Sequence, residues 1–118
     1  MKDTTPQAVQ AAHELILWMI PQIDKFPRVR RFTLGERLES ILLEVMELSV
    51  EAAFTHNKRE ALQKANMRLE VAKHLWRMAM QLQVVALRQY EHGSRLMDEL
   101  GRQLGGWQRS IEKRDKAS

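Results

Sequence analysis

Apolar residues recur at intervals of three and four along most of this 118-residue chain, which is the spacing of one face of an α-helix. Four segments carry the pattern, and they predict helices over about 6–25, 34–55, 58–82 and 87–111. Nothing in the chain has the alternating pattern of a strand. Helices with one apolar stripe each must bury those stripes against one another. We therefore expect one domain over residues 1–118, an all-α, up-and-down antiparallel four-helix bundle with a charged tail at 112–118.

Residue types that are typical of helix ends, and one internal proline, refine the expected bounds and shape of these helices. Thr5 is a candidate N-cap, and Pro6 suits the first helical position because its missing N–H is not needed there. Pro21 lies inside the first pattern and predicts a kink, since proline removes a backbone hydrogen bond. Thr33–Glu36 and Asn57–Glu60 both match a capping box and predict the starts of the second and third helices.

The fourth helix carries glycines at an unusual place. Gly101 and Gly105 lie four residues apart inside the pattern, where each costs about 1 kcal/mol relative to alanine. Close approach of a neighbouring helix is the simplest explanation for both. The helix is expected to start at Ala86 or Leu87, and the tail after Ile111 is expected to fray.

Composition argues against catalysis and against a metal or cofactor site. The chain has no cysteine, so it offers neither a disulfide nor a thiolate zinc site. Bundle di-iron sites use Glu-x-x-His motifs, and no glutamate precedes a histidine by three positions. The four histidines are not spaced as helical ligand pairs, and there is no Gly-rich phosphate loop or local Ser/His/Asp signature. A catalytic bundle would need an unforeseen cofactor, so we expect a protein that is not an enzyme.

The same features set expectations for location. The first residues lack the apolar segment of a secretory signal. The longest apolar run, Leu15 to Ile20, is far shorter than the roughly 20 residues that span a bilayer. We expect a soluble, cytoplasmic protein that does not associate with membranes.

Charge is segregated along the chain. The net charge is +4, but residues 34–54 hold five glutamates and one arginine, so the rest carries +8. Basic surfaces attract polyanions such as nucleic acid. A surface that is merely rich in solvated lysine and arginine is an equally open interpretation.

The basic positions form three groups that we predict to bind nucleic acid or a protein partner. Arginines recur every seven residues on the fourth helix and so form a nearly straight stripe. They could instead be ion pairs with Glu91, Asp98 or Glu99 that support the helix. That alternative is weaker for the third helix and for the first loop, where basic residues outnumber nearby acids. The stripe on the fourth helix also includes Arg109, and the candidate binding residues are Arg28, Arg30 and Arg31 in the loop, Arg59, Lys64, Arg68, Lys73 and Arg77 on the third helix, and Arg88, Arg95 and Arg102 on the fourth.

Two helices have more apolar residues than one stripe needs. A second apolar stripe on a helix of a monomeric bundle would be exposed, and exposed apolar patches usually mark an interface. Scattered surface apolar residues are also normal, so this alternative stays open. Leu82 continues the surplus stripe of the third helix. Because two helices show the surplus, we predict self-association through Leu43, Val50 and Phe54 on the second helix and Met67, Val71 and Met78 on the third.

Three stretches resemble a known family. They are Phe26-Pro-Arg-Val-Arg-Arg-Phe-Thr-Leu-Gly-Glu-Arg-Leu38, Ala65-Asn-Met-Arg-Leu-Glu70, and Arg88-Gln-Tyr-Glu-His with Asp98-Glu-Leu-Gly-Arg-Gln-Leu-Gly-Gly-Trp107. They are similar to the accessory variability determinant (Avd) family of diversity-generating retroelements. The similarity spans about residues 16–110. The wider superfamily includes bundles encoded in intervening sequences of bacterial 23S rRNA genes.

The resemblance implies a function. Avd-like proteins are pentameric barrels that bind the element's reverse transcriptase and its template-repeat RNA, and also DNA, in support of mutagenic retrohoming. Lys73 and Arg77 match the positions of a basic pair in the family. Ala86 departs from the serine or threonine that usually caps the fourth helix. The alternative hypothesis is a protein-interaction scaffold whose basic residues only keep it soluble.

Overall fold

Four long helices form the body of the protein, as seen in a computed structural model that describes residues 6–117. No strand occurs in this range, and the predicted four-helix bundle is confirmed. The elements are α1 (Gln7–Asp24), α2 (Arg28–Arg30), a π-helical turn (Arg31–Gly35), α3 (Glu36–Phe54), α4 (Lys58–Gln81) and α5 (Leu87–Ala117).

Each long helix packs against two others. Short connections make successive long helices antiparallel, and α1 and α4 each contact both α3 and α5, so the four helices stand at the corners of a square. Their apolar stripes meet in one core, where leucines 15, 38, 62, 69 and 104 are at most 1% exposed. Burying a leucine stabilises the fold by about 1.5–3 kcal/mol, so this core is the main source of stability.

The segment between α1 and α3 is helical, whereas the sequence predicted a loop. Pro27 starts a new turn, because its carbonyl accepts hydrogen bonds from Arg30 N at 2.8 Å and Arg31 N at 2.9 Å. Val29 and Phe32 are 69% and 58% exposed. Only Leu34 and Gly35 at its end face the core, so the segment presents no repeating apolar stripe, which explains why apolar periodicity did not predict it.

The expected capping box at Thr33 does not form. The Thr33 hydroxyl donates back to the Val29 carbonyl at 3.0 Å, as a residue inside a helix does. Gly35 ends the π-helical turn in a tight place. A Cβ at Gly35 would stand 2.9 Å from Ile23 Cγ2 and 3.2 Å from Phe26 Cδ2, so the turn is packed closely onto the end of α1.

Other helix ends also differ from expectation. Pro6 is the cap residue rather than the first helical residue, and Thr5 lies outside the described residues. The Asn57 amide donates to the Glu60 carboxylate at 2.5 Å instead of capping a backbone N–H. The last helix begins at Leu87 and continues to Ala117, so the tail after Ile111 is helical rather than frayed.

The glycine at the tightest helix contact is Gly93, not Gly101 or Gly105. A Cβ at Gly93 would lie 2.8 Å from three indole atoms of Trp76 on α4. At Gly101 the nearest atoms, from Leu69 and Lys73, would be 3.5 and 3.6 Å away, which is ordinary contact. A Cβ at Gly105 would meet only an arginine side chain of its own helix. Close approach therefore explains Gly93 alone among the three.

Candidate nucleic-acid interface

One end of the bundle collects basic side chains. The end of α1, the start of α3, the end of α4 and the start of α5 meet there, together with α2 and the π-helical turn. We call it the cationic end. It holds seven cations and four carboxylates (Asp24, Glu36, Glu39 and Glu91), a net charge of +3. The cations are Lys25, Arg28, Arg30, Arg31, Arg37, Arg77 and Arg88.

These cations have no carboxylate partner within the structure. Among residues 6–117, none of the seven lies within 4 Å of a carboxylate oxygen. Arg31 instead lies over the Phe32 ring, 4.9 Å from its centroid. Six of the seven are exposed, and Arg31 is half-buried. The cationic end therefore presents charge that is free to meet an external anion.

Four other α4 cations are ion-paired, whereas Arg77 has no ion pair within the described residues; Lys58 instead donates to the Ala52 carbonyl at 2.7 Å. Arg59 Nη2 lies 2.7 Å from Asp115 Oδ2, and Lys64 Nζ lies 3.2 Å from a Glu60 oxygen. These four cations form five ion pairs, and three of the five involve acids from other helices, which a count along α4 alone overlooks. The sequence expectation that α4 has too few acids nearby is thus corrected.

Lys73 and Arg77, which match the family's basic pair, differ in whether they are ion-paired. Lys73 is half-buried and its Nζ lies 3.5 Å from Glu70 Oε1 and 3.4 Å from Asp98 Oδ1. Arg77, one turn further, is exposed with no such partner among the described residues. Arg68 Nε lies 3.4 Å from Glu44 Oε2. The two members of the pair therefore differ in how readily they can meet a phosphate.

The arginine stripe on α5 is only partly neutralised. Arg102 pairs with Glu99, while Arg88 and Arg95 form no ion pair with a described residue. Of the other two acids proposed as partners, Asp98 bonds to a lysine of α4 and Glu91 pairs with no described cation. The half of the stripe nearer the start of α5, Arg88 and Arg95, is therefore continuous with the cationic end.

Two carboxyl groups outside the cationic end, Glu60 and Glu99, have a lowered pKa because of their hydrogen bonds and ion pairs. Hydrogen bonds from Lys64 and then Asn57 hold the pKa of Glu60 below its ordinary value. A hydrogen bond from Gln103 Nε2 at 2.9 Å is the main cause that lowers the pKa of Glu99, with Arg102 adding to it. These contacts favour the charged form of both carboxylates, which compete with a phosphate for Lys64 and Arg102.

A groove between α1 and α5 opens toward the cationic end. Its volume is about 510 Å³, and its lining comes from one face of each helix at i, i+4 and i+7. The lining residues are Trp18, Gln22 and Lys25 on α1 and Arg88, Gln89, His92 and Arg95 on α5. Three are cations and none is a carboxylate.

Aromatic rings form the lower wall of this groove. The Trp18 and His92 ring centroids are 4.7 Å apart at 52°, and Trp18 meets the buried Trp76 edge-on at 6.1 Å. Both Trp18 and His92 are half-buried. Sequence reasoning missed Trp18, Lys25 and His92 as site residues because helices far apart in sequence bring them together. The shared i, i+4, i+7 spacing on α1 and α5 was the available signal.

The surplus apolar residues are all exposed. Their exposed fractions run from 36% at Val71 to 87% at Phe54, with Met67 at 64%. A single bundle therefore leaves these residues uncovered, as the stripe count implied. The interface formed by Leu43, Val50, Phe54, Met67, Val71 and Met78 remains a prediction.

The described part of the chain contains neither a metal-binding cluster nor a membrane-spanning helix. No three His, Asp or Glu side chains in residues 6–117 are grouped to hold a metal ion. Over the same range, no helix has the length and hydrophobicity needed to cross a bilayer.

The fold and its charge define a class, a small four-helix-bundle protein with one cationic end. The model of the family described as bAvd-like matches residues 8–111, so the chain belongs to the bAvd-like family. This confirms the resemblance seen in the sequence. Proteins of this family are accessory proteins of a non-catalytic kind. No curated protein matches the chain.

Proposed function

We propose that this protein is an accessory factor of a diversity-generating retroelement. In this role it binds the reverse transcriptase and the template-repeat RNA, together with the cDNA copied from it, and so supports mutagenic retrohoming. The family match over residues 8–111 supports the retroelement role. The proposal of nucleic-acid binding is supported by the cationic end, whose seven cations lack carboxylate partners in the described chain.

Unpaired arginines suit a phosphate backbone. A guanidinium offers a planar set of donors that can hold a phosphate with two hydrogen bonds. Such contacts fix the position of a nucleic acid but carry no base sequence. Sequence selection would then come from the polymerase or from the fold of the RNA.

The paired cations contribute less in this proposal. Exposed ion pairs are worth only about 0–1 kcal/mol, so a phosphate can displace the carboxylate. The released carboxylate then repels the phosphate. Arg59, Lys64, Arg68, Lys73 and Arg102 therefore have a secondary role, and Arg28, Arg30, Arg31, Arg77, Arg88 and Arg95 the main one.

Self-association is the second part of the proposal. The exposed apolar residues of α3 and α4 are well suited to contacts between copies of the chain, and the family resemblance implies a pentamer. In such an assembly each cationic end is repeated, so modest contacts add up to tight binding. The same apolar residues could alternatively contact the polymerase.

Binding to the template-repeat RNA, measured against salt, tests the proposal. Each phosphate contact on a single strand contributes about −0.7 to the slope of log K against log salt. Four contacts predict a slope near −3 and about fifty-fold weaker binding between 50 and 200 mM salt. Co-purification with the reverse transcriptase of the same retroelement, when the two are co-expressed, is also expected. A flat salt response together with no recovery of polymerase contradicts the proposal.

The scaffold alternative has one observation in its favour. Five cations of the bundle body are already ion-paired, as expected if they serve only stability and solubility. Under this alternative the protein binds the polymerase or another protein but shows no salt-dependent binding to RNA. The same titration therefore separates the two functions.

A further inference from the structure

The groove between α1 and α5 has the features of a site for a single unpaired nucleotide. We propose that it binds one nucleotide of a single strand, with the base against Trp18 and His92 and the phosphates on Lys25, Arg88 and Arg95. This inference rests on the proposed function, and it adds a preference for unpaired over duplex nucleic acid. No residue of the α1 wall was among the sequence-predicted binding positions.

The size and shape of the groove fit this occupant. Its volume of about 510 Å³ falls within the range of small-ligand sites, about 300–1,000 Å³. The tilt of 52° between the Trp18 and His92 rings leaves them unstacked on each other. Because Trp18 is half-buried and lines the groove together with His92, a base in the groove can lie against this aromatic wall, and every base has a face that can stack.

The charge of the groove favours phosphate. Lys25 and Arg88 stand near its upper rim, and Arg95 lies two turns below Arg88 on α5. None of the three is paired with a carboxylate of the described chain. An acidic peptide would find the same cations, but it would leave the aromatic wall without a planar partner.

The test compares Trp18→Leu with Trp107→Leu. Leucine keeps an apolar side chain but removes the stacking face, and Trp107 is a half-buried tryptophan at the opposite end of the bundle. The probes are an unstructured single-stranded RNA and an RNA duplex of equal length. Losing one base–aromatic stack is expected to weaken single-strand binding at least about fivefold in Trp18→Leu. Duplex binding, and both affinities of Trp107→Leu, should stay at the wild-type level.

Ultraviolet crosslinking of the unmodified protein tests the site independently of any folding defect. The single-stranded RNA should crosslink to the tryptic peptides 3–25 and 89–95, which contain Trp18 and His92. Wild-type affinity of Trp18→Leu for the single strand, or crosslinks only to other peptides, overturns the groove assignment. If wild type binds both RNAs in that case, the proposed function stands. If wild type binds neither RNA, the proposed function itself fails.

Discussion

Replacing Gly93 by alanine tests how closely α4 and α5 pack around Trp76. The new methyl group would stand 2.8 Å from indole atoms Cε2, Cζ2 and Nε1, so the ring or the helix must move. The ring cannot move freely. It is fully buried, meets Trp18 on one side and Tyr90 on another, and its Nε1 donates to the Tyr90 carbonyl at 2.9 Å.

The magnitude follows from three opposing effects. Alanine gains about 1 kcal/mol over glycine inside a helix. Overpacking costs about 1–3 kcal/mol, and leaving the buried indole N–H unbonded costs about 1–3 kcal/mol more. We expect Gly93→Ala to be destabilised by about 3 kcal/mol, which lowers Tm by about 12 °C in a chain of this size.

Gly101→Ala is the matched control, since it makes the same change two turns further along α5. There the methyl group would be 3.5 Å from Leu69 and 3.6 Å from Lys73, so the helix gain is kept. We expect it to be more stable than wild type by about 0.5–1 kcal/mol.

Urea unfolding followed by far-ultraviolet circular dichroism, at one protein concentration, compares the two variants with wild type. Equal concentration matters because self-association would shift the midpoint. A Gly93→Ala variant as stable as Gly101→Ala would refute the packing described here.

Three further predictions concern association, charge and pH. Met67→Glu places a charge on an exposed apolar stripe, and it should lower the molar mass measured by light scattering from that of an oligomer; an unchanged mass excludes Met67 from the interface. Arg77→Gln should weaken RNA binding about fivefold at 0.1 M salt, and Lys73→Gln should weaken it less because carboxylates already hold that lysine; equal losses would contradict the pairing argument. Gln103→Ala should raise the pKa of Glu99 in a carboxyl NMR titration. Because folding lowers this pKa, the stability that the Glu99 carboxylate supports is present at neutral pH and is lost as pH falls through the folded-state pKa. An unchanged titration would argue against the hydrogen bond from Gln103.

The four long helices could be predicted because each has one apolar stripe facing a common core. Segment 28–35 could not, since Val29 and Phe32 point to solvent and the turn leaves no periodic signal. A local sequence motif also led to a wrong prediction of a helix start. Thr33 fits a capping box, yet the helix already begins after Pro27, so its hydroxyl bonds within the helix.

The candidate site was less predictable than the fold because it depends on neighbours across helices. Basic residues of α4 acquire partners from α3 and α5, such as Asp98 for Lys73, that no count along one helix reveals. Packing between helices likewise determines at which position a glycine is needed for close approach. Gly93 and Gly101 look alike in the sequence, and only the position of Trp76 separates them.

The central claim is that phosphate binding depends on the position of charge rather than on its total. Two charge-matched double variants test it. Arg28→Gln/Arg30→Gln removes two cations from the cationic end. Lys113→Gln/Lys116→Gln removes two exposed cations from the far end of α5, also without an ion pair among the described residues. Each variant lowers the net charge from +4 to +2.

The measurement is the affinity for single-stranded RNA against salt. Losing two phosphate contacts should make the slope about 1.4 less steep and weaken binding about 25-fold at 0.1 M salt for the variant of the cationic end. The control variant should keep the wild-type slope. Equal losses in both variants, or no loss in either, would contradict the assignment of binding to the cationic end.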